Sequence, residues 1–131
     1  MRPEKKRILV VDDDIAVLTS LKRLLELSGF EVEAIQTPKD SLSRARSFKP
    51  HLILLDLLMP AIGGLEVCEM LNNDKDTNGI PVIIISALTK EEDIKKAYRL
   101  GVVGYKTKPY DFSELLKEIN KTIAFKEGGT V

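Results

Sequence analysis

Residues 53–60 read ILLDLLMP, an apolar run that contains one carboxylate, Asp56, and ends in Met59 and Pro60. Residues 52–55 are apolar throughout, as a strand covered on both faces of a sheet must be. Burying a lone carboxylate costs so much free energy that the group either takes up a proton or has a cation beside it. The stretch therefore predicts a central strand, with Asp56 at its rim and a cationic partner close by.

Four more short apolar runs occur along the chain at intervals of about 20 to 25 residues, and each is followed by a segment with helical spacing. They begin at Ile8, Phe30, Pro81 and Val102, and the last covers Val102 to Tyr105. This alternation is typical of βαβ units rather than of hairpins. It predicts an α/β, flavodoxin-like (βα)5 fold, a doubly wound five-stranded parallel sheet with strand order 2-1-3-4-5.

Several residues mark the ends of the expected helices. Gly29 and Gly101 are predicted to end the first and fourth helices in a left-handed conformation. Thr89 and Glu92 fit the capping box that opens a helix, and Asp111 is predicted to cap the last one.

The composition indicates one ordinary domain. The chain has 131 residues, 44% of them hydrophobic, and its 20 basic and 20 acidic side chains cancel, so no general attraction to nucleic acid or to a membrane is expected. No apolar run approaches the ~18 residues that span a bilayer. A single cysteine and no signal peptide ahead of the first strand indicate the cytoplasm. We expect one domain over residues 1–131, with a core at about 7–125 and a flexible tail or the start of a linker at 126–131.

Polar residues follow the carboxyl ends of the predicted strands, where open α/β sheets bind their ligands. Asp12 and Asp13 end the first strand, Asp56 ends the third, Ser86 ends the fourth, and Lys108 follows the fifth. Three clustered carboxylates repel one another unless a cation lies among them. Hard oxygen ligands suit Mg²⁺, whereas a set without His or Cys argues against zinc. Metal, ammonium and hydroxyl together suit a phosphoryl group with its charged oxygens.

Three motifs, ILVVDDD from Ile8, ILLDLLMP, and KPYD from Lys108 to Asp111, closely resemble the response-regulator receiver domain of two-component signalling in their order and spacing. The resemblance implies a domain that accepts a phosphoryl group from a sensor histidine kinase or a phosphotransfer protein and is not a turnover enzyme. Its output would reach a downstream protein target or an output domain that this sequence does not contain. Neither nucleic acid nor a membrane is expected to bind to this domain.

The resemblance also assigns roles to particular residues. Asp56 would be the phosphoacceptor. Ser86 would move toward the phosphoryl group, Lys108 would pair with one of its oxygens, and Tyr105 would fill the space that Ser86 leaves. The Lys108–Pro109 peptide bond is expected to be cis. The implied Mg²⁺ ligands are Asp13, Asp56 and the backbone carbonyl of Leu58 directly, and Asp12 largely through water.

Phosphorylation would change the surface of the fourth helix, the fifth strand and the fifth helix, and thereby the affinity for a partner. The candidate contact residues on this surface are Lys95, Lys96, Arg99 and Tyr105.

The chain departs from the usual pattern of the family at several positions. Gly63 replaces a frequent Asp, which removes a carboxylate that braces the loop but no metal ligand. His51 replaces another frequent Asp and is interpreted as a loop residue. Leu58 and Leu88 stand at two variable positions that tune the loss of the phosphoryl group. Because neither leucine can orient an attacking water, they predict slow self-hydrolysis.

Three alternatives compete with this interpretation. The DDD segment also resembles the start of haloacid-dehalogenase-type phosphatases, in which Asp12 would be the nucleophile and Asp14 the acid; this alternative leaves Asp56 unexplained. A flavin or nucleotide carrier on the same fold would need a Gly-rich or Ser/Thr-rich turn after the first strand, where this chain has three aspartates. A receiver-like module that never takes phosphate stays open until phosphorylation is assayed.

Overall fold

The computed structural model describes residues 4–57 and 63–128. They form one parallel sheet in the order β2-β1-β3-β4-β5, with helices on both faces, which confirms the predicted fold class and strand order. The strands are β1 (Arg7–Val11), β2 (Glu31–Ile35), β3 (Leu52–Leu55), β4 (Val82–Ser86) and β5 (Gly104–Thr107). The helices are α1 (Ile15–Leu27), α2 (Ser41–Phe48, after a 3-10 turn at Pro38–Asp40), α3 (Gly64–Asn73), α4 (Glu91–Arg99) and α5 (Phe112–Lys126).

The core consists of two apolar layers, one on each side of the sheet. Successive residues of a strand point to opposite faces, so Ile8 packs in one layer and Leu9 in the other. Helices α1 and α5 cover the first layer, and α2, α3 and α4 cover the second. All four residues of β3 are buried, as the quoted stretch predicts for a central strand.

The element ends confirm some of the predicted caps and correct others. Gly29 and Gly101 have φ of +100° and +95°, and Asp111 accepts a hydrogen bond from the backbone N–H of Ser113 at the start of α5. The capping box at Thr89 is wrong, because α4 begins at Glu91 with Lys90 in the cap position and no side-chain cap bond.

The predicted start of β5 at Val102 is also wrong. The N–H of Val102 donates to the carbonyl of Ala97, so this residue closes the end of α4. The N–H of Val103 donates to the carbonyl of Val82 at 2.9 Å, and the paired residues of β4 and β5 start with Ile83 and Gly104.

The register of the parallel strands places the polar residues at one edge of the sheet. Val11 of β1 pairs with Leu55 of β3, so the next residues, Asp12 and Asp56, leave the sheet side by side. The N–H of Asp56 donates to the carbonyl of Val11 at 3.0 Å. Of the helices in the described ranges, none has the length and apolar character needed to cross a membrane.

Candidate functional site

Three carboxylates meet at the carboxyl edge of the sheet, as the sequence predicts. Asp12, Asp13 and Asp56 each offer an oxygen, and these oxygens lie within 4.8 Å of one another. Asp12 and Asp56 are only 4% and 5% exposed, and Asp13 is less buried. Little water therefore screens the repulsion between the two buried groups.

Lys108 is the cation that the buried carboxylates require. Its Nζ lies 3.0 Å from Oδ2 of Asp12 and 3.1 Å from Oδ2 of Asp56. The backbone N–H of Lys108 donates to the carbonyl of Ser86, and the Lys108–Pro109 peptide is cis as expected. The loop after β5 is therefore tied to the end of β4, which places the ammonium between the two acids.

The ionisation of this cluster follows from burial and charge. Burial raises the pKa of Asp12, the charge of Asp56 raises it further, and the hydrogen bonds from the Asp14 N–H and from Lys108 offset part of the rise. Burial would lower the pKa of Lys108, but the hydrogen bonds and charges of Asp12 and Asp56 outweigh that effect and leave the pKa raised. Lys108 is thus held as a cation.

Ser86 and Tyr105, the two predicted switch residues, are linked through the loop between β4 and α4. Ser86 is fully buried, and its Oγ accepts a hydrogen bond from the N–H of Leu88 at 3.2 Å. The hydroxyl of Tyr105 donates to the carbonyl of the same Leu88 at 2.8 Å. Burial raises the pKa of Tyr105, and its contact with the Ser86 side chain partly offsets that rise. One loop residue therefore joins the end of β4 to the aromatic side chain on β5.

Other sequence candidates have structural roles. The Asp14 carboxylate caps α1 by accepting hydrogen bonds from the N–H groups of Ala16 and Val17, so it is engaged away from an acid role. Cys68 is buried, which raises the pKa of its thiol to about 12 and leaves it inert as a nucleophile. Leu58, expected to offer its carbonyl to a metal, lies outside the described residues.

His51 also has a structural role. Its Nδ1 accepts a hydrogen bond at 3.0 Å from the backbone N–H of Arg7, where β1 begins. Its imidazole thus extends the hydrogen bonding between the first and third strands, in agreement with its interpretation as a loop residue.

Two contributions to the site were missed from the sequence. The Gln36 side chain donates to the carbonyl of Asp13 at 3.2 Å and braces the loop after β1. The N–H of Gly64 donates to the carbonyl of Leu57 at 3.1 Å, which brings the start of α3 back onto the residues after β3. A glycine pair at 63–64 was the available signal for the second contact.

The donor set fits a hard divalent cation. All three candidate side-chain ligands are carboxylates, and no nitrogen or sulfur ligand joins this cluster within the described part of the chain. Mg²⁺ prefers such oxygen ligands and commonly needs only one or two carboxylates. Fold and site together define an α/β domain with an acidic pocket, neutralised in part by a lysine, at the ligand-binding edge of its sheet.

Similarity to known proteins agrees with this class. A family model described as the response regulator receiver domain matches residues 8–120. PilH of Pseudomonas aeruginosa is 37% identical over 118 residues, covering 90% of this chain and 98% of PilH. The DNA-binding dual master transcriptional regulator RpaA of Synechocystis sp. is 34% identical over 113 residues, covering 86% of this chain and 47% of RpaA. The crystal structure of a CheY-like receiver domain protein from Methanospirillum hungatei aligns with a TM-score of 0.90 at 30% identity, covering 95% and 98% of the two chains.

The chain belongs to the family of response regulator receiver domains, which are signalling domains of two-component systems rather than turnover enzymes. This assignment gives no support to the phosphatase alternative built on Asp12. The chain spans nearly all of PilH but about half the length of the DNA-binding relatives RpaA and MtrA.

Proposed function

We propose that this receiver domain takes a phosphoryl group on Asp56 from the phosphohistidine of a sensor histidine kinase or a phosphotransfer protein. An oxygen of Asp56 attacks phosphorus, the new P–O bond forms, and the P–N bond breaks with its electron pair returning to the imidazole nitrogen. The observation that carries the proposal is the contact of Asp56 with Lys108 at 3.1 Å beside two further carboxylates. A lone structural aspartate would not need this surrounding.

The acidic cluster would hold Mg²⁺. Asp13 and Asp56 would bind the ion directly and Asp12 largely through water; the family resemblance adds the Leu58 carbonyl. The bound ion would neutralise charge on the phosphoryl oxygens and on the carboxylates. The chain itself supplies three mutually close carboxylates, two of them buried, which Lys108 alone does not neutralise.

Lys108 and Ser86 would act on the phosphoryl group once it is attached. The Lys108 ammonium already contacts the Asp56 oxygen, so it needs only a small movement to pair with an oxygen of the new phosphoryl group. The Ser86 hydroxyl is bonded to the Leu88 N–H, and moving toward the phosphoryl group would break that bond.

The Leu88 contacts suggest how the change would spread. A displaced Ser86 would alter the loop in which the Leu88 carbonyl accepts a hydrogen bond from the Tyr105 hydroxyl. The equilibrium between the conformations of the α4-β5-α5 surface would then shift. Lys95 and Lys96 on this surface form exposed ion pairs with Glu91 and Glu92 within α4, which contribute little to stability and are easily exchanged for a partner's charges. The other candidate contacts are Arg99 and Tyr105.

The phosphorylated state would be long-lived. Leu58 and Leu88 cannot orient water for attack on the phosphoryl group, so autodephosphorylation would be slow. The double variant Leu58→Asn with Leu88→Glu should shorten the half-life of the phosphorylated protein. The half-life is measured from the decay of the phosphorylated species by intact mass spectrometry after the phosphodonor is removed. An unchanged half-life would contradict this part of the proposal.

The setting of this activity is also part of the proposal. The chain would act in the cytoplasm as a single receiver domain over residues 1–131. It would regulate a downstream protein target or an attached output domain, and this domain itself would contact neither nucleic acid nor a membrane.

The direct test is to expose the protein to phosphoramidate with and without Mg²⁺ and then to measure its intact mass by mass spectrometry. Wild type should gain one phosphoryl group in Mg²⁺ and none with a chelator, and Asp56→Asn should gain none. Asp14→Asn is the matched control, because it removes an acid from the neighbouring loop that only caps α1, and it should behave like wild type. Phosphorylation of Asp56→Asn at the wild-type level would overturn the proposal.

A further inference from the structure

Gln36 lies at the carboxyl edge of the sheet, where the candidate site is built. It directly follows β2, in the same way that Asp12 follows β1 and Asp56 follows β3. The N–H of Asp12 donates to the carbonyl of Ile35 at 3.2 Å, which continues the hydrogen bonding with β2 one residue past the end of β1. Gln36 therefore leaves the sheet next to the loop that carries the acidic cluster.

Within that loop, Asp13 is held less firmly than its two neighbours. The Asp12 carboxylate accepts a hydrogen bond from the N–H of Asp14 at 3.0 Å and another from Lys108 at 3.0 Å. Asp14 is fixed by its role as the cap of α1. Asp13 lies in the bend between them, and within residues 4–57 and 63–128 its one hydrogen bond comes from the Gln36 side chain.

The Gln36 amide acts on the backbone of Asp13 rather than on its carboxylate. Its Nε2 donates to the Asp13 carbonyl at 3.2 Å, across 23 positions of the sequence. This contact leaves the Asp13 carboxylate untouched, and an oxygen of that carboxylate lies within 4.8 Å of oxygens of Asp12 and Asp56. The contact therefore fixes the backbone from which the carboxylate projects without occupying its oxygens.

An amide suits this position chemically. A primary amide supplies an N–H donor without carrying a charge. A lysine or arginine at position 36 would also donate, but its cation would repel a metal ion held by the neighbouring acids. A glutamate would direct an acceptor at a carbonyl that is itself an acceptor. Because Gln36 is exposed, packing in the core does not account for its orientation, and the bond to Asp13 does.

We propose that Gln36 is a positioning residue for the metal site, which holds Asp13 where its carboxylate reaches the same cation as Asp56 and so favours Mg²⁺ over Ca²⁺. Mg²⁺ requires short bonds in near-ideal octahedral geometry, whereas Ca²⁺ accepts longer bonds and a flexible arrangement. A ligand with a mobile backbone therefore weakens the binding of Mg²⁺ more than that of Ca²⁺. Groups that orient metal ligands in this way contribute to affinity without touching the ion. This inference rests on the metal site of the proposed function.

Gln36→Met tests the proposal, because it removes the donor and keeps a side chain of similar length. The full chain, freed of metal, is titrated with Mg²⁺ and separately with Ca²⁺ while backbone amide chemical shifts are recorded by NMR. The Kd for Mg²⁺ should be about threefold to tenfold higher than in wild type, as expected for the loss of one neutral hydrogen bond. The Kd for Ca²⁺ should rise by a smaller factor, so the preference for Mg²⁺ should fall.

Two measurements on the metal-free protein separate positioning from a merely structural role. The NMR order parameter of the Asp13 amide should fall in Gln36→Met, whereas the midpoint of urea unfolding in a chelator should stay close to that of wild type. A merely structural role would lower that midpoint and leave the ratio of the two Kd values unchanged. Ser43→Ala is the matched control, because the exposed Ser43 also donates to a backbone carbonyl, that of Asp40 at 3.1 Å. Both of its Kd values should equal those of wild type.

The failure of this inference is distinguishable from the failure of the proposed function. An unchanged Kd for Mg²⁺ in Gln36→Met, or an equal rise in the Kd values for Mg²⁺ and Ca²⁺, would overturn the positioning role alone and leave phosphorylation of Asp56 unaffected. A wild-type protein that binds no Mg²⁺ would overturn the proposed metal site and this inference together.

Discussion

Asp12 and Asp56 share the single ammonium of Lys108, and Asp13 adds a third negative charge close to both. At the scale of residues this arrangement is unfavourable, because three carboxylates face one cation and little water reaches two of them. Functional sites commonly break local rules of stability in this way. The repulsion is what a divalent cation would relieve.

Replacing Asp13 with Asn should therefore stabilise the metal-free protein. Removing one of two unit charges about 4 Å apart is worth about 1 kcal/mol at the dielectric constant of water, so the free energy of unfolding in urea with a chelator should rise by roughly that amount. The increase in Tm that Mg²⁺ causes should become smaller than in wild type. Asp40→Asn, at an exposed aspartate outside the pocket, is the control and should change neither quantity. A loss of metal-free stability in Asp13→Asn would contradict the repulsion.

His51 gives a pH-dependent prediction away from the site. Burial lowers the pKa of His51, and the charges of Arg7 and Lys6 lower it further, so the folded state favours the neutral imidazole. The stability that His51 contributes is therefore fully present above its unfolded pKa of about 6.5 and is lost as the pH falls through the folded pKa.

In His51→Asn this part of the pH dependence should disappear. Urea unfolding between pH 7.5 and about 5 should show a smaller loss of stability than in wild type over the same interval. If the free energy of unfolding had the same slope against pH in both proteins, His51 would not titrate as its surroundings require.

At the scale of elements, the start of α3 rests directly on the segment that carries the phosphoacceptor. Gly64 is the first residue of α3, and a Cβ there would lie 2.5 Å from the carbonyl oxygen of Asp56 and would also collide with Cα of Leu57. Among the described residues, none has an atom within 4 Å of a Cβ added at the neighbouring Gly63, and the φ of −73° at that position suits any residue.

Gly64→Ala should destabilise the protein by about 1–3 kcal/mol, because backbone must move to accommodate the added methyl group. Gly63→Ala, which adds the same methyl group one residue earlier, should stay within about 0.5 kcal/mol of wild type. Urea unfolding measures both, and the apparent affinity for Mg²⁺ should fall only in Gly64→Ala. Equal stability of the two variants would show that the close approach at Gly64 is not required.

Some of these elements and their bounds were predictable from the sequence, and others were not. Apolar periodicity predicted strands β1 to β4 and the core faces of α1, α3 and α5, because burial decides those positions. The cap at Thr89 and the start of β5 at Val102 were wrong, because particular hydrogen bonds that leave no mark in the apolar pattern decide them. Val102 closes the end of α4 by bonding to Ala97, and Tyr105 holds the loop before α4.

At the scale of the whole molecule, the order of the strands brings together residues that are distant in sequence. Lys108 contacts Asp12 across 96 positions and Asp56 across 52. The candidate site was predictable because parallel strands end at one edge, so polar residues after each strand must meet there. The bond from Tyr105 to Leu88 was not, because it depends on where a loop settles between two packed elements.

The central claim is that Asp56, among the acids of the pocket, carries the phosphoryl group. The most direct test is treatment with phosphoramidate and Mg²⁺, followed by borohydride, which reduces an aspartyl phosphate to homoserine, and by peptide mass mapping. We predict homoserine at position 56, lost when a chelator replaces Mg²⁺. Homoserine at position 12 instead, or at no position after treatment that phosphorylates another receiver domain, would contradict the account.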